Sequence, residues 1–238
     1  MLKVEDLDFS GLNTAIRSMR NPLNSWNKSD SKLIPVDMEF RPGAFKFEIG
    51  EKDLNLCKAL IKAGNSDRKF LRMIHVSVNI TAPLYWWKEM DQYKVGTVTD
   101  SCSTMHKIHS RDLTIDDFST EHLNDLMKNT LKGIIELMNL YRQKFIETKD
   151  KENWWQIIQM LPSSYNQMRT WDGNYETLMS IYFQRRNHKL DEWHTFCDWI
   201  LELPYMKEFI GALDEKVLDA KEEVSEHMVD NLILNNQI

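Results

Sequence analysis

Between Arg72 and Ala82 the side chains alternate: Ile74, Val76, Val78 and Ile80 fall on one side, His75, Ser77 and Asn79 on the other. A period of two suits a half-buried strand and no helix, so the chain must build a sheet with one covered face. Pro83 removes a backbone donor and ends the run. The longer segments read at a different period. Thr120 to Thr148 places Leu123, Leu126, Met127, Leu131, Ile134, Met138, Tyr141 and Phe145 at three- and four-residue steps, as a long amphipathic helix does. Asn174 to Leu203 predicts another, closed by Pro204, and an acid-rich helix is expected from about Lys207 to Leu234, with Leu213, Val217, Ala220, Val224 and Met228 as its stripe. Two elements precede the strand. Ile34 to Ile49 alternates around Arg41-Pro42-Gly43 as a hairpin, carrying Val36, Met38 and Phe40, then Phe45, Phe47 and Ile49. Asp53 to Ala63 has Leu54, Cys57, Leu60 and Ile61 at helical spacing and Gly64 as its stop. Leu12 to Lys32, polar and rich in turn formers, predicts a solvated loop. Helical segments dominate and no βαβ alternation occurs, so the fold class is α+β, helix-rich, with a small, mostly antiparallel sheet.

Six prolines and eight glycines in 238 residues, with no Ser/Gly/Pro-rich stretch, leave no evident linker, and a single domain over 1–238 is expected. A formal charge of -6 gives no reason to coat a polyanion over a wide surface, so any phosphate-bearing partner must meet a local cluster of cations. Nucleic acid is not an expected partner. Cys57, Cys102 and Cys197 are widely spaced, without Cys-x-x-Cys, which fits a reducing compartment and no zinc site. Met1 to Ser10 carries acids and no signal-like apolar run, and no window has the apolar length of a membrane span. The expectation is a soluble, cytoplasmic protein that does not engage a membrane.

Gly-x-Gly-x-x-Gly, the Walker loop, His-Glu-x-x-His and Gly-x-Ser-x-Gly do not occur. His106 and His109 have the spacing of one helical turn but no neighbouring third ligand, and read as a solvated pair rather than a metal site. Arg185 and Arg186 are more informative. They lie seven residues beyond Leu178 and Met179 and so return to the apolar stripe of their helix. A guanidinium there requires an anionic or strongly polar companion, either a structural carboxylate or a ligand. The stretch from Pro83 to His106 combines Tyr85, Trp86, Trp87 and Tyr93 with hydroxyls and a few charges. It reads equally as a stacking site for a heterocycle with a polar rim and as a partly exposed loop.

The order of these features resembles the flavin-dependent thymidylate synthases. A strand running into Ala82-Pro83-Leu84-Tyr85 is similar to that family's Ala-Pro-aliphatic-aromatic segment. Its signature Arg-His-Arg-x-x-Ser-x-Asn-x-x-Ser-x-Arg falls on Gln92, Tyr93, Lys94, Thr97, Thr99, Cys102 and Thr104, with most diagnostic residues replaced. Leu161-Pro162, Trp171, Asn174, Leu178-Met179 and Arg185 then match the pattern of the family's ligand-binding helix without a gap. The Arg68 to Arg72 stretch occupies the place of its Gly-His-Glu-Thr-Pro-Phe-Glu-His segment, with Arg72 at the last histidine.

The resemblance implies FAD beside dUMP in a homotetramer whose sites are built from several subunits. It also implies reduced flavin mediating transfer of a carbon unit to pyrimidine C5, with methylenetetrahydrofolate and NADPH as co-substrates. It assigns Arg185 to the pyrimidine as the catalytic donor. Glu89, Asp100, Ser101, Ser103, His106 and Arg169 join Arg185 on the substrate, and Arg72, Gln92, Tyr93, Lys94, Thr97 and Asn174 are placed on the cofactor. Gln92 lacks the charge of the first signature arginine, and the phosphate-binding arginine has no counterpart at Thr104. His106, Lys107 or Arg111 can stand in for it from nearby. Three readings follow: a divergent enzyme of this class, a catalytically inactive nucleotide-binding or assembly protein of the same fold, and an unrelated helical interaction protein.

Overall fold

The computed structural model describes residues 2–36 and 44–217. Strand β1 (Lys3–Ser10) leads through Gly11 into helix α1 (Leu12–Ser18). Gly11 has φ +87°, and a Cβ there would lie 2.0 Å from the Met73 carbonyl oxygen, so glycine alone fits this corner. Strands β2 (Lys32–Val36) and β3 (Ala44–Glu48) pair antiparallel, with Leu33 opposite Phe47 and Pro35 opposite Phe45. The hairpin is as expected; Met38, Phe40 and the Arg41-Pro42-Gly43 turn lie outside the described residues. Helix α2 (Glu51–Ala63) ends at Gly64, φ +109°. Strand β4 (His75–Pro83) buries Val76, Val78 and Ile80, as the alternation requires. Helix α3 (Leu84–Met90), strand β5 (Val98–Ser101) and the single turn α4 (Thr104–Lys107) follow. Next come α5 (Asp125–Thr148), α6 (Lys151–Met160), β6 (Asn166–Asn174), α7 (Tyr175–Arg185), α8 (Asp191–Glu202) and α9 (Met206–Gly211). The strand order β1-β4-β6-β5 makes a four-stranded sheet beside the separate β2-β3 pair, and the class is α+β, helix-rich, with a small, mostly antiparallel sheet.

Two compact units partition these elements. The first comprises Met1–Glu5, Asn79–Lys94 and Thr99–Thr170. Its helical hairpin α5–α6 closes over Ile108, Leu113, Phe118, Leu131, Ile135, Met138 and Ile157. Both hairpin helices start on side-chain caps, the Asn124 oxygen accepting from Met127 N and the Asp150 oxygen from Glu152 N. Asn139 bridges both backbone groups of Leu113, at 2.8 and 2.9 Å, and so fixes the incoming loop.

The second unit comprises the described residues within 6–78, 95–98 and 171–217. Phe70 meets Phe209 edge-on at 5.8 Å, and Phe9 packs on Tyr175 at 5.6 Å. The 12–32 segment departs from expectation. It contains α1, with Leu12, Ala15, Ile16 and Met19 buried, and carries Arg20 into an ion pair with the fully buried Asp53. Its polar residues serve that carboxylate: Arg20 Nε, Ser29 Oγ and Ser31 Oγ donate to Asp53 at 2.6, 2.5 and 2.6 Å. Composition suggested solvation because these polar groups solvate a protein charge in place of water.

The helix expected over Asn174 to Leu203 is two helices. Arg185 and Arg186 end α7, the His188 amide turns back to the Arg185 carbonyl, and Asp191 and Glu192 open α8 with acids in its first turn. Of the helix expected from Lys207 to Leu234, α9 ends at Gly211 and Leu213 is exposed; the part from residue 218 onward lies outside the described residues.

Candidate functional site

In the first unit, β6 presents Gln167 and Arg169 on one face. The buried Gln167 donates from Nε2 to the Cys102 carbonyl at 2.7 Å and accepts from Arg169 Nε at 3.0 Å. Arg169 Nη1 donates to Asp91 Oδ1 at 2.9 Å, and its guanidinium lies 4.5 Å from the centre of the Trp87 ring. Trp87 is itself held, its indole N–H donating to the Gln167 carbonyl at 2.9 Å. A guanidinium stacked on an indole and gripped on two edges is preorganised, so an incoming anion would not have to order it. Sequence reasoning selected Arg169 but not Asp91, Gln167 or Trp87 as the groups that aim it. Asp91 and Trp87 are distant in sequence, while Gln167, two residues away, shares a strand face with Arg169, a period-of-two relation that could have been read.

The other residues assigned to substrate lie in the same unit. Glu89 is half-buried on α3, and Asp100 and Ser101 are exposed on β5. Ser103 caps α4, accepting from the backbone N–H of His106 at 3.1 Å, and the His106 side chain is exposed. Arg111, one of the three stand-ins for the missing arginine, is committed to Asp117 through both terminal nitrogens. His109 is half-buried against Phe145 at 5.0 Å, so the pair with His106 is not a solvated one. Among the described residues no group of three or more His, Cys, Asp or Glu can hold a metal ion. Trp86 and Trp87 are fully buried and meet edge-on at 4.9 Å, so they are core and not a stacking platform; Tyr85 and Tyr93 are half-buried. Gln92 and Lys94 are exposed in the turn after α3.

In the second unit, α7 organises the remaining candidates. Asn174 caps it, its Oδ1 accepting from Thr177 N at 3.1 Å and from Thr177 Oγ1 at 3.3 Å. The capping bond commits that oxygen to the helix, while the Thr177 hydroxyl is shared between it and the Val95 carbonyl, and the amide is the donor Asn174 can offer. That amide nitrogen lies against Gly96, 3.0 Å from where a Cβ would stand, beside the half-buried Thr97. Gly173 precedes the cap because the Trp171 ring folds over it, 2.2 Å from the position of a Cβ. Glu176, in the first turn, takes Arg68 on Oε1 at 2.9–3.0 Å, while its buried Oε2 has no hydrogen-bond partner among the described residues. Arg72 is exposed and donates to the Asn65 carbonyl at 3.2 Å.

At the far end of α7 the two arginines separate in role. Arg186 is paired with Asp214 and lies over Tyr182 and Phe183, at 5.6 and 5.2 Å from their ring centres. The hydrogen bond from Arg186 holds the Asp214 carboxyl below its usual range. Arg185 is half-buried with its guanidinium 4.8 Å from the Trp193 ring centre. Arg186 thus meets a carboxylate, and Arg185 lies over an aromatic face. Asn174 and Arg185 are separated by the length of the helix, about 16 Å at 1.5 Å per residue.

No family model matches the chain, and no curated protein matches it significantly by sequence. Solved structures do. Thymidylate synthase X (ThyX) from Helicobacter pylori, with FAD and dUMP, superposes with a TM-score of 0.63 at 15% identity, covering 90% of this chain and 98% of that one. This chain has the fold of the flavin-dependent thymidylate synthases. A second structure of the H. pylori enzyme complexed with FAD and dUMP gives 0.59 at 16% identity, covering 87% and 97%. The UMP/dUMP methylase PolB from Streptomyces cacaoi, bound with 5-Br UMP, gives 0.59 at 10% identity, covering 90% and 94%. The third reading, an unrelated helical protein, is thereby set aside. Among the described residues no helix is long and apolar enough to cross a membrane.

Proposed function

We propose that the chain is a divergent flavin-dependent thymidylate synthase-like protein that binds FAD and a pyrimidine deoxynucleotide of the dUMP kind and transfers a one-carbon unit to pyrimidine C5. The observation that carries this reading is the shared fold, which spans 90% of this chain and 98% of a ThyX structure holding both FAD and dUMP. Arg185, on the aromatic face of Trp193, is the donor to the pyrimidine edge, where charge develops during attack at C5. Arg169 offers the nucleotide a held cation, with Glu89, Asp100, Ser101, Ser103 and His106 supplying polar contacts. On the cofactor side, the Asn174 amide donates to the flavin. Thr97, Tyr93 and Gln92 add hydrogen bonds, and the exposed cations Lys94 and Arg72 face its phosphates. A donor set of amide, hydroxyls and two cations suits a flavin dinucleotide, which needs edge donors and charge neutralisation. FAD, when bound, supplies the redox chemistry, with methylenetetrahydrofolate and NADPH as co-substrates. The protein works as a homotetramer with sites between subunits.

Absorbance of the purified protein, with and without added FAD and dUMP, tests this. Flavin bands that shift when dUMP is added support it, as does loss of nucleotide binding in Arg185→Ala. A colourless protein that takes up neither ligand refutes it. A catalytically inactive member of the fold is the second reading. It is favoured by Gln92, Cys102 and Thr104 at signature positions and by Arg111 being tied to Asp117. Nucleotide binding without flavin uptake would select it.

A further inference from the structure

Gln167 puts an amide where a strand ordinarily buries an apolar side chain. It lies in β6, 7% exposed, on the face that carries Arg169. A buried amide costs free energy unless both of its ends are bonded, and here both are. Nε2 donates to the Cys102 carbonyl, which can only accept, and Oε1 accepts from Arg169 Nε, which can only donate. Those partners fix the orientation of the amide. An ionised glutamate would oppose the carbonyl, and a methionine would bond neither group. The bridge joins a cation to the exit of β5, where Thr104 follows Cys102 by two residues. Thr104 is the position at which the resemblance calls for a phosphate-binding arginine and this chain has no charge. Of the cations that follow it, Arg111 is committed to Asp117, and His106 and Lys107 are exposed on a single turn. Arg169 differs from all three. Its side chain is 17% exposed and gripped at Nε and Nη1, and its Nη2 has no hydrogen-bond partner among the described residues.

We propose that Gln167 is a positioning residue whose amide seats Arg169 beside the exit of β5, so that the guanidinium takes the phosphate of the nucleotide in place of the charge missing at Thr104. This rests on the nucleotide reading and adds to it the group that Arg169 meets and the residue that puts it there. Nη2 is the nitrogen left for the phosphate oxygens. A guanidinium whose Nε and Nη1 are already placed gives up little rotamer freedom when the ligand arrives. Asp91 acts in two opposed senses. It steadies Nη1, yet its carboxylate, 46% exposed, stands beside the incoming dianion with a charge of the same sign. Gln167 orients the cation without that penalty, because an amide carries no charge.

Calorimetry on the full chain with excess FAD, comparing dUMP with deoxyuridine, isolates the phosphate. The wild type should bind dUMP about a hundredfold more tightly than the nucleoside. Gln167→Met is expected to weaken dUMP by about tenfold and to leave deoxyuridine where it was. A loss shared equally by both ligands would make Gln167 a structural residue only and overturn the proposal. Asp91→Asn keeps the acceptor oxygen at an exposed place and removes the opposing charge, so it should strengthen dUMP by about threefold without moving deoxyuridine. That variant tests the arrangement even where Gln167→Met fails to fold, and a fall in dUMP affinity there overturns the proposal. So does a dUMP preference lost in Lys107→Ala and kept in both other variants, which would put the phosphate on the exit turn. A wild type that binds both ligands alike refutes this inference alone. One that binds neither refutes the nucleotide reading and this inference with it.

Discussion

Asp53→Ala is the perturbation whose size the structure fixes best. The carboxylate is fully buried, receives Arg20 on Oδ1 at 2.5–2.6 Å, and takes Ser29 Oγ and Ser31 Oγ on Oδ2. Truncation leaves Arg20, 6% exposed, as an uncompensated buried cation. Breaking such a pair from one side costs about 3–5 kcal/mol, equivalent in a chain of this length to a fall of about 6–20 °C in melting temperature. Arg20→Met with Asp53→Leu should recover most of that, because the penalty lies in the orphaned charge more than in the lost attraction. The assay is thermal denaturation followed by circular dichroism across pH. Burial acts to raise the Asp53 pKa, but hydrogen bonds from Ser29, Ser31 and Arg20 outweigh it and hold the carboxyl below 3.8. A depressed native pKa means the contribution is complete above the unfolded value and disappears as pH falls through the native one. The gap between wild type and Asp53→Ala should therefore close on acidification below about pH 4. A gap under about 1 kcal/mol at neutral pH, or one that acid leaves unchanged, would refute the reasoning.

Three shorter tests bear on the site. Burial pushes the Cys57 and Cys197 thiols up to about 12, while Cys102 is exposed, so a thiol reagent should titrate one group in the native protein and three after denaturation. Asn174→Ala removes the cap of α7 and should cost about 1 kcal/mol in thermal stability. Asn174→Asp keeps the capping oxygen and loses the amide, so it should melt with the wild type yet weaken flavin uptake; equal flavin affinity in both would count against a cofactor role. Arg169→Lys keeps the charge but loses the fork between Asp91 and Gln167 and most of the stacking on Trp87. Nucleotide affinity measured by calorimetry should fall about tenfold, and an unchanged value would remove Arg169 from the site.

The strand from His75 to Pro83 and the long helix α5 were legible because their signal is local: each residue's face is set by its own place in a period of two or of 3.6. The segment from Leu12 to Lys32 was not, because its polar residues take their meaning from Asp53, more than twenty residues away. The single helix expected over Asn174 to Leu203 failed for a related reason. Apolar spacing survives a short break, and the evidence for the break, a His188 amide turned back onto the Arg185 carbonyl, is a backbone contact that composition does not encode.

The arginine pair at the end of α7 shows how far sequence can reach into a site. Spacing established that two guanidinium groups return to an apolar stripe and must each find a companion, and both do. Which companion each finds depends on where α7 stops. Because the helix ends there, Arg186 meets Asp214 from beyond α9, and Arg185 meets Trp193 from the first turn of α8. A carboxylate holds the guanidinium it meets and offsets part of its charge, as Asp214 does for Arg186 and Asp91 for Arg169. An aromatic face steadies a guanidinium and leaves its charge in place. The same residue type, one position apart, thus enters an ion pair in one case and lies over an indole in the other. The functional assignment to Arg185 is a proposal that rests on its place in the Leu178-Met179 and Arg185 pattern of α7.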